Sequence, residues 1–132
     1  ELKPLSMAAF FDKVQSRRQA QMGINAWTQD YPDPSNFLDI LLNGKRITDT
    51  ECQNCSFFGN PEFSRLIDQA AQTMDAGRRT AMYQQAEKLA MEQAPWVPLI
   101  FQRTAILRHP RVHGDVPDPV WLWRFERMWL DP

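Results

Sequence analysis

Apolar residues fall at Met7, Phe10, Phe11 and Val14, the i, i+3, i+4, i+7 spacing that puts four side chains on one helix face. Phe63, Leu66, Ile67, Ala70, Ala71 and Met74 follow the same rule further along, and Met82, Ala86, Leu89 and Ala90 repeat it with Tyr83 on the flank. The starts of two of these helices are written in their flanking residues. "GNPEF" places Asn60 as a cap, Pro61 at the first helical position and Glu62 near the positive dipole end. "TMDAGRR" offers Asp75 as the cap of the next helix across a very short turn. "YPDPSNF" has the same grammar. Asp33 reads as cap and Pro34 as first residue of a short helix to about Leu42, which ends near Asn43 and Gly44 in a left-handed stop.

Between the helices the pattern changes. "MGINAWT" reads as a short strand, and "WVPLIFQRTAILRH" holds two β-rich runs, Val97–Phe101 and Thr104–Leu107. The closing "WLWRFERMWL" alternates from Trp123, with Trp123, Phe125 and Arg127 on one side and Arg124, Glu126 and Met128 on the other. Residues 45–60 are loop-like. Helices alternating with strands predict an α/β fold, helices packed on a short mixed sheet. The terminal run carries Trp121, Trp123 and Trp129, more aromatic surface than a free-standing domain of this size covers by itself, so a covering partner is expected.

Composition narrows the classes without choosing one. The chain has 132 residues, 43% hydrophobic and 23% charged, ordinary for one globular unit. A net charge of −1 with no clustered basic stripe excludes an electrostatic footprint for nucleic acid. "SRR" and "GRR" read as solvated faces. No apolar run reaches the length that spans a bilayer. The opening "ELKPLSMAAF" has no initiator methionine and no basic segment leading an apolar run, and reads as a processed end or as a piece of a longer chain.

The candidate chemistry is sparse. "CQNC", Cys52 to Cys55, and "HPRVH", His109 to His113, supply the ligand types of a zinc finger. A finger needs about 12–15 residues between its pairs, and here two helices intervene. Two unpaired loop cysteines are the plain reading, a disulfide the alternative, and no metal site is expected. No nucleophile elbow, P-loop or glycine-rich dinucleotide turn is present, so no enzyme and no cofactor are expected. One carboxylate is left without a structural task. Asp33 is committed as a cap, whereas Asp30 stands beside Trp27 and Tyr31 at a strand end. A carboxylate walled by aromatics suits a cationic amine, because excluding water keeps the charge-assisted bond strong. The same residue could instead satisfy loop amides.

"GINAWTQDYPDPSNFLDILL", "NCSFFGNPEFSRLIDQA" and "DAGRRTAMYQQAEKLAMEQAPWVPLIF", together with the ending "VHGDVPDPVWLWRFERMWL", resemble the carboxy-terminal portion of the extracytoplasmic solute-binding proteins of peptide and nickel ABC transporters. The resemblance covers essentially the whole chain. It implies a two-lobed periplasmic-binding-protein-like (type II) fold, periplasmic or lipid-anchored, of which this chain is a carboxy-terminal fragment. Residues 1–101 would belong to the second, ligand-closing lobe. Residues 102–132 would cross the hinge and return a terminal strand to the first lobe. The missing amino-terminal portion of the same protein would then cover the exposed aromatics.

The resemblance also assigns a site. In peptide-binding members the aspartate of a tryptophan–x–x–aspartate element holds the ligand's α-amino group, and here that element is "WTQD". The role carries to Asp30, with Trp27 lining the pocket, Tyr31 beside it and the backbone of Thr28 and Gln29 pairing with an extended peptide. The implied partners are a peptide or other amine-bearing solute and the permease subunits of an ABC importer. The alternatives are a ligand-sensing domain of a transcription regulator and a nickel or metal-chelate binder of the same family. One departure is visible. Where the family carries an acidic residue after "NPEF" or "NPEY", this chain has Ser64, in the first turn of an expected surface helix.

Overall fold

Caps open the helices, as their flanking residues require. The computed structural model describes residues 4–17, 20–103, 105–114, 116–118, 120 and 123–132. The Ser6 hydroxyl accepts from the Ala9 amide at 3.3 Å and begins α1, Met7–Gln15. Asn60 Oδ1 accepts from the amides of Glu62 (2.8 Å) and Phe63 (3.0 Å), with Pro61 first in α3, Pro61–Gln72. Asp75 Oδ1 accepts from the Arg78 amide at 2.7 Å and opens α4, Ala76–Gln93. Each side-chain oxygen satisfies an amide that the helix itself leaves without a partner.

The intervening helix, α2, runs Ser35–Leu42, one residue later than the sequence places it. Asp33 still does the capping: its Oδ1 accepts from the Ser35 amide at 2.9 Å and its carbonyl from the Asn36 amide at 3.0 Å. The left-handed stop expected at Asn43 and Gly44 does not form. Asn43 is extended (φ −67°, ψ 130°), and Gly44–Arg46 form a 3-10 turn. Asn43 is buried and its side chain donates to Asp39 Oδ1 (2.7 Å) while accepting from the Lys45 amide (3.1 Å). Those bonds end α2 and start the next turn, so no glycine conformation is needed.

The core lies between α2, α3 and α4. Leu38 and Leu42 of α2, Phe63, Leu66, Ile67 and Ala70 of α3, and Tyr83, Ala86 and Ala90 of α4 form one buried cluster, edged by Phe58, Met82, Leu89 and Trp96. Ala86 and Ala90 are fully buried, and side chains that small let the backbones of α3 and α4 approach closely. Tyr83, placed by periodicity on the flank, is in the core at 4% exposure. α1 stands apart: it contributes no buried residue, and Met7 and Phe11 of its apolar face are exposed.

Residues 47–60 are a loop held from within. Cys52 and Cys55 are joined by a disulfide, which overturns the reading of two unpaired thiols and uses up both sulfurs that a zinc site would need. Asn54, fully buried, donates from Nδ2 to the carbonyls of Asn43 (3.1 Å) and Phe58 (2.9 Å). Its Oδ1 accepts from the Phe58 amide (3.2 Å) and the Ser56 hydroxyl (2.8 Å). The loop also receives the end of α1, through the Arg17 amide to the Asp49 carbonyl (3.0 Å) and the Cys52 amide to the Gln15 carbonyl (3.4 Å). Ser64 is not an idle surface substitution: its hydroxyl accepts from the Gly44 amide at 3.2 Å and joins α3 to the turn after α2.

The extended segments are corrected most. Residues 22–28 and 97–101 carry no ladder, and neither do the described residues of 104–107; Thr104 lies outside them. A strand is stable only beside another strand, and no described segment lies alongside these to supply its hydrogen bonds. The terminal run is a 3-10 turn at Phe125–Arg127 followed by a short strand, and its Trp121 falls outside the described residues. Among the described residues the sheet is one antiparallel pair, β1 (Val112–His113) with β2 (Trp129–Leu130), Val112 opposite Leu130. The α/β reading thus holds with a strong helical layer and a small sheet.

Candidate ligand-binding site

The residues singled out by the sequence meet where the irregular segment 22–34 turns into α2. Asn36, in the first turn of α2, is fully buried. Its Oδ1 accepts from Trp27 Nε1 at 3.0 Å and from the Asp30 amide at 3.0 Å, and its Nδ2 donates to Asp30 Oδ2 at 3.0 Å. One carboxamide therefore fixes both the indole and the carboxylate. Trp27 is 40% exposed, so its ring is part of the surface while its N–H points inward. Asp30 is exposed, and among the described residues Asn36 is its only side-chain partner.

Tyr31 is tied in separately. The Ser35 hydroxyl donates to the Tyr31 hydroxyl at 3.3 Å, and Tyr83 is buried in the core. Burial raises the Tyr83 phenol above its ordinary value, and the negative charge of Asp33 raises it further. Thr28 is exposed and Gln29 half-buried in the stretch between the tryptophan and the aspartate. Trp27, Asp30 and Tyr31 thus gather around the first turn of α2, with Thr28 and Gln29 on the connecting backbone.

The gathering is anchored to α4. Asp33 Oδ2 pairs with Arg79 at 3.0 Å while Oδ1 caps α2. Partial burial pushes the Asp33 carboxyl up. The Ser35 hydrogen bonds and the Arg79 charge outweigh it, leaving the group below the usual aspartate range. Nearby, Asp39 holds Arg46 at 2.7 Å, and that hydrogen bond raises the guanidinium further.

Sequence reasoning singled out Trp27, Asp30 and Tyr31, which the structure brings together, but not Asn36, Ser35 or Arg79, which hold that turn in place. A signal for Asn36 existed: Asp33 already caps the helix, so a second cap-type residue in the same turn is redundant unless it binds elsewhere. No group of three or more His, Cys, Asp or Glu side chains that could hold a metal occurs among the described residues.

Comparison with known proteins decides the family. No family model matches the chain. Heme-binding protein A of Haemophilus influenzae is 35% identical over 97 residues, 74% of this chain and 17% of that protein. The periplasmic murein peptide-binding protein MppA of Escherichia coli is 40% identical over 89 residues, 67% of this chain and 16% of that protein. The solved structure of DppA from Helicobacter pylori, an ABC transporter-associated periplasmic binding protein in complex with the peptide STSA, superimposes with a TM-score of 0.85 at 26% identity. It covers 100% of this chain and 26% of that one. The chain belongs to the solute-binding proteins of peptide ABC transporters.

The chain spans about a sixth of the length of the two curated relatives named above (17% and 16%), in keeping with a carboxy-terminal portion. The solved relatives are two-lobed. The relatives are named as binding proteins, not enzymes. The family is periplasmic, and the Cys52–Cys55 disulfide suits that oxidising compartment. No described helix is long and apolar enough to cross a membrane.

Proposed function

We propose that this chain is part of the solute receptor of an ABC importer, and that Asp30 anchors the amino-terminal amine of a bound peptide. The observation that carries the reading is the state of that carboxylate. Its Oδ2 is engaged from inside by Asn36, while among the described residues Oδ1 has no partner, at an exposed position beside the Trp27 indole. An ammonium at Oδ1 would form a charge-assisted bond against an aromatic wall. Thr28 and Gln29 would offer backbone groups to an extended peptide, and Tyr31 would close the far side.

In this reading residues 1–101 belong to the ligand-closing lobe, and residues 102–132 cross the hinge and return to the first lobe. Exposed apolar side chains support it: Val97, Leu99, Ile100 and Phe101, then Leu107 and Trp129, lie uncovered along that path. Remaining parts of the receptor would bury them. Ligand bridging the two lobes favours the closed state, because only that state makes both sets of contacts, and the closed receptor delivers its cargo to the permease. A ligand with only carboxylate termini is disfavoured here, since Asp30 would repel it.

The test is titration calorimetry of the full-length receptor with a mixture of di- to pentapeptides and with the same mixture N-acetylated. Binding of the free-amine mixture at least about tenfold tighter than that of the acetylated one supports the reading. Equal binding of both removes the amine anchor.

A further inference from the structure

We infer that Asn36 is a positioning residue that makes this site select cations: it turns Asp30 outward as an acceptor and turns the Trp27 N–H inward. The inference rests on the amine-anchor reading above. It starts from how the carboxamide is spent. Oδ1 receives two N–H donors, Trp27 Nε1 and the Asp30 amide, so the amide orientation is fixed by chemistry and its NH2 must face Asp30 Oδ2. Neither donor comes from α2, whose cap is supplied by Asp33 through the Ser35 amide. Asn36 is therefore not employed in ending a helix. It is a fully buried clamp on two residues that are themselves exposed.

The consequence is a site with its polarity set. A tryptophan at a binding surface can donate a hydrogen bond to a carboxylate or carbonyl of a ligand. Here that donor is consumed at 3.0 Å, and the indole has only its π-surface and carbon edge to offer. The Asp30 carboxylate, held through one oxygen, keeps the other as an acceptor. Acceptor and π-surface together suit an ammonium or amidinium and offer nothing to an anion. Without Asn36, the indole N–H and the carboxylate would both be free to rotate, and the preference for cationic over neutral ends would fall.

The test uses the full-length receptor and the ratio of affinities for the free-amine and N-acetylated peptide mixtures. Asn36→Leu keeps the branched shape and removes all three bonds; Asn36→Ser keeps a small polar group and serves where the first variant does not fold. The inference expects a fall of about tenfold or more in free-amine affinity, acetylated binding unchanged within about twofold, and a shift in Trp27 fluorescence emission. A merely structural Asn36 would lower thermal stability while leaving the ratio as in the parent protein, and that result overturns the inference. Asp30→Ala, run alongside, separates the two claims. If Asp30→Ala removes the amine preference but neither Asn36 variant changes it, positioning by Asn36 is wrong and the anchor stands. If Asp30→Ala leaves the preference intact, the anchor itself is wrong.

Discussion

Arg79 on α4 holds Asp33 at 3.0 Å, and through it the whole tryptophan–aspartate turn is fastened to the helical core. Asp33 caps α2 with one oxygen and meets the guanidinium with the other, so one carboxylate joins the turn, the short helix and the long helix. The segment that carries Trp27 and Asp30 has no ladder of its own, so this pair is a brace that ties it to the core.

This brace gives stability a definite pH dependence. Asp33 titrates below its ordinary value of 3.8. Its contribution is therefore complete above that value and is lost as pH falls through the lower folded value. Asp33→Asn should cost about 1 kcal/mol at pH 7. It should also lose less stability than the parent as pH falls below about 3.8, by denaturant titration at several pH values. Parallel acid limbs in parent and variant would refute the brace.

Asn54 should be among the most sensitive positions of the loop. Replacing it with Ala removes the donor to the Phe58 carbonyl, one of the two donors to the Asn43 carbonyl, and the acceptor of the Phe58 amide. A loss of about 3 kcal/mol is expected in chemical denaturation. A loss near the level of an ordinary surface change would mean that water reaches the loop and replaces the side chain.

The disulfide is the second brace of that loop. Cys52 and Cys55 should resist alkylation in the folded and unfolded protein until a reductant is added, as read by mass spectrometry. Closing so short a loop contributes about 2 kcal/mol by chain entropy, and reduction should lower thermal stability accordingly. Alkylation of both residues without reductant would show that the bond does not form.

What the sequence disclosed tracks how local each cause is. The caps at Asn60 and Asp75 act within three residues, and both were legible from their own neighbours. Tyr83 was placed at the flank by helical spacing. Only the fold shows that its ring is buried among the core residues of α2, α3 and α4. The role of Asn36 depends on partners six and nine residues back, in a segment with no periodicity to announce it. The strands expected at 22–28 and 97–101 failed for the same reason at longer range. β-rich composition is local, whereas a ladder needs a partner strand, and no described residue supplies one. Asp30 was singled out as the carboxylate of its motif without a structural duty; the fold gives it one, as acceptor of the Asn36 Nδ2, and leaves it exposed.

The most direct measurement is the dissociation constant of the full-length receptor for the free-amine peptide mixture, parent against Asp30→Ala, by titration calorimetry. If Asp30 anchors the ligand amine as proposed, removing its charge should cost about 2–5 kcal/mol, a loss of roughly 30- to 4,000-fold. Affinity within about twofold of the parent, less than 0.5 kcal/mol, would contradict the account.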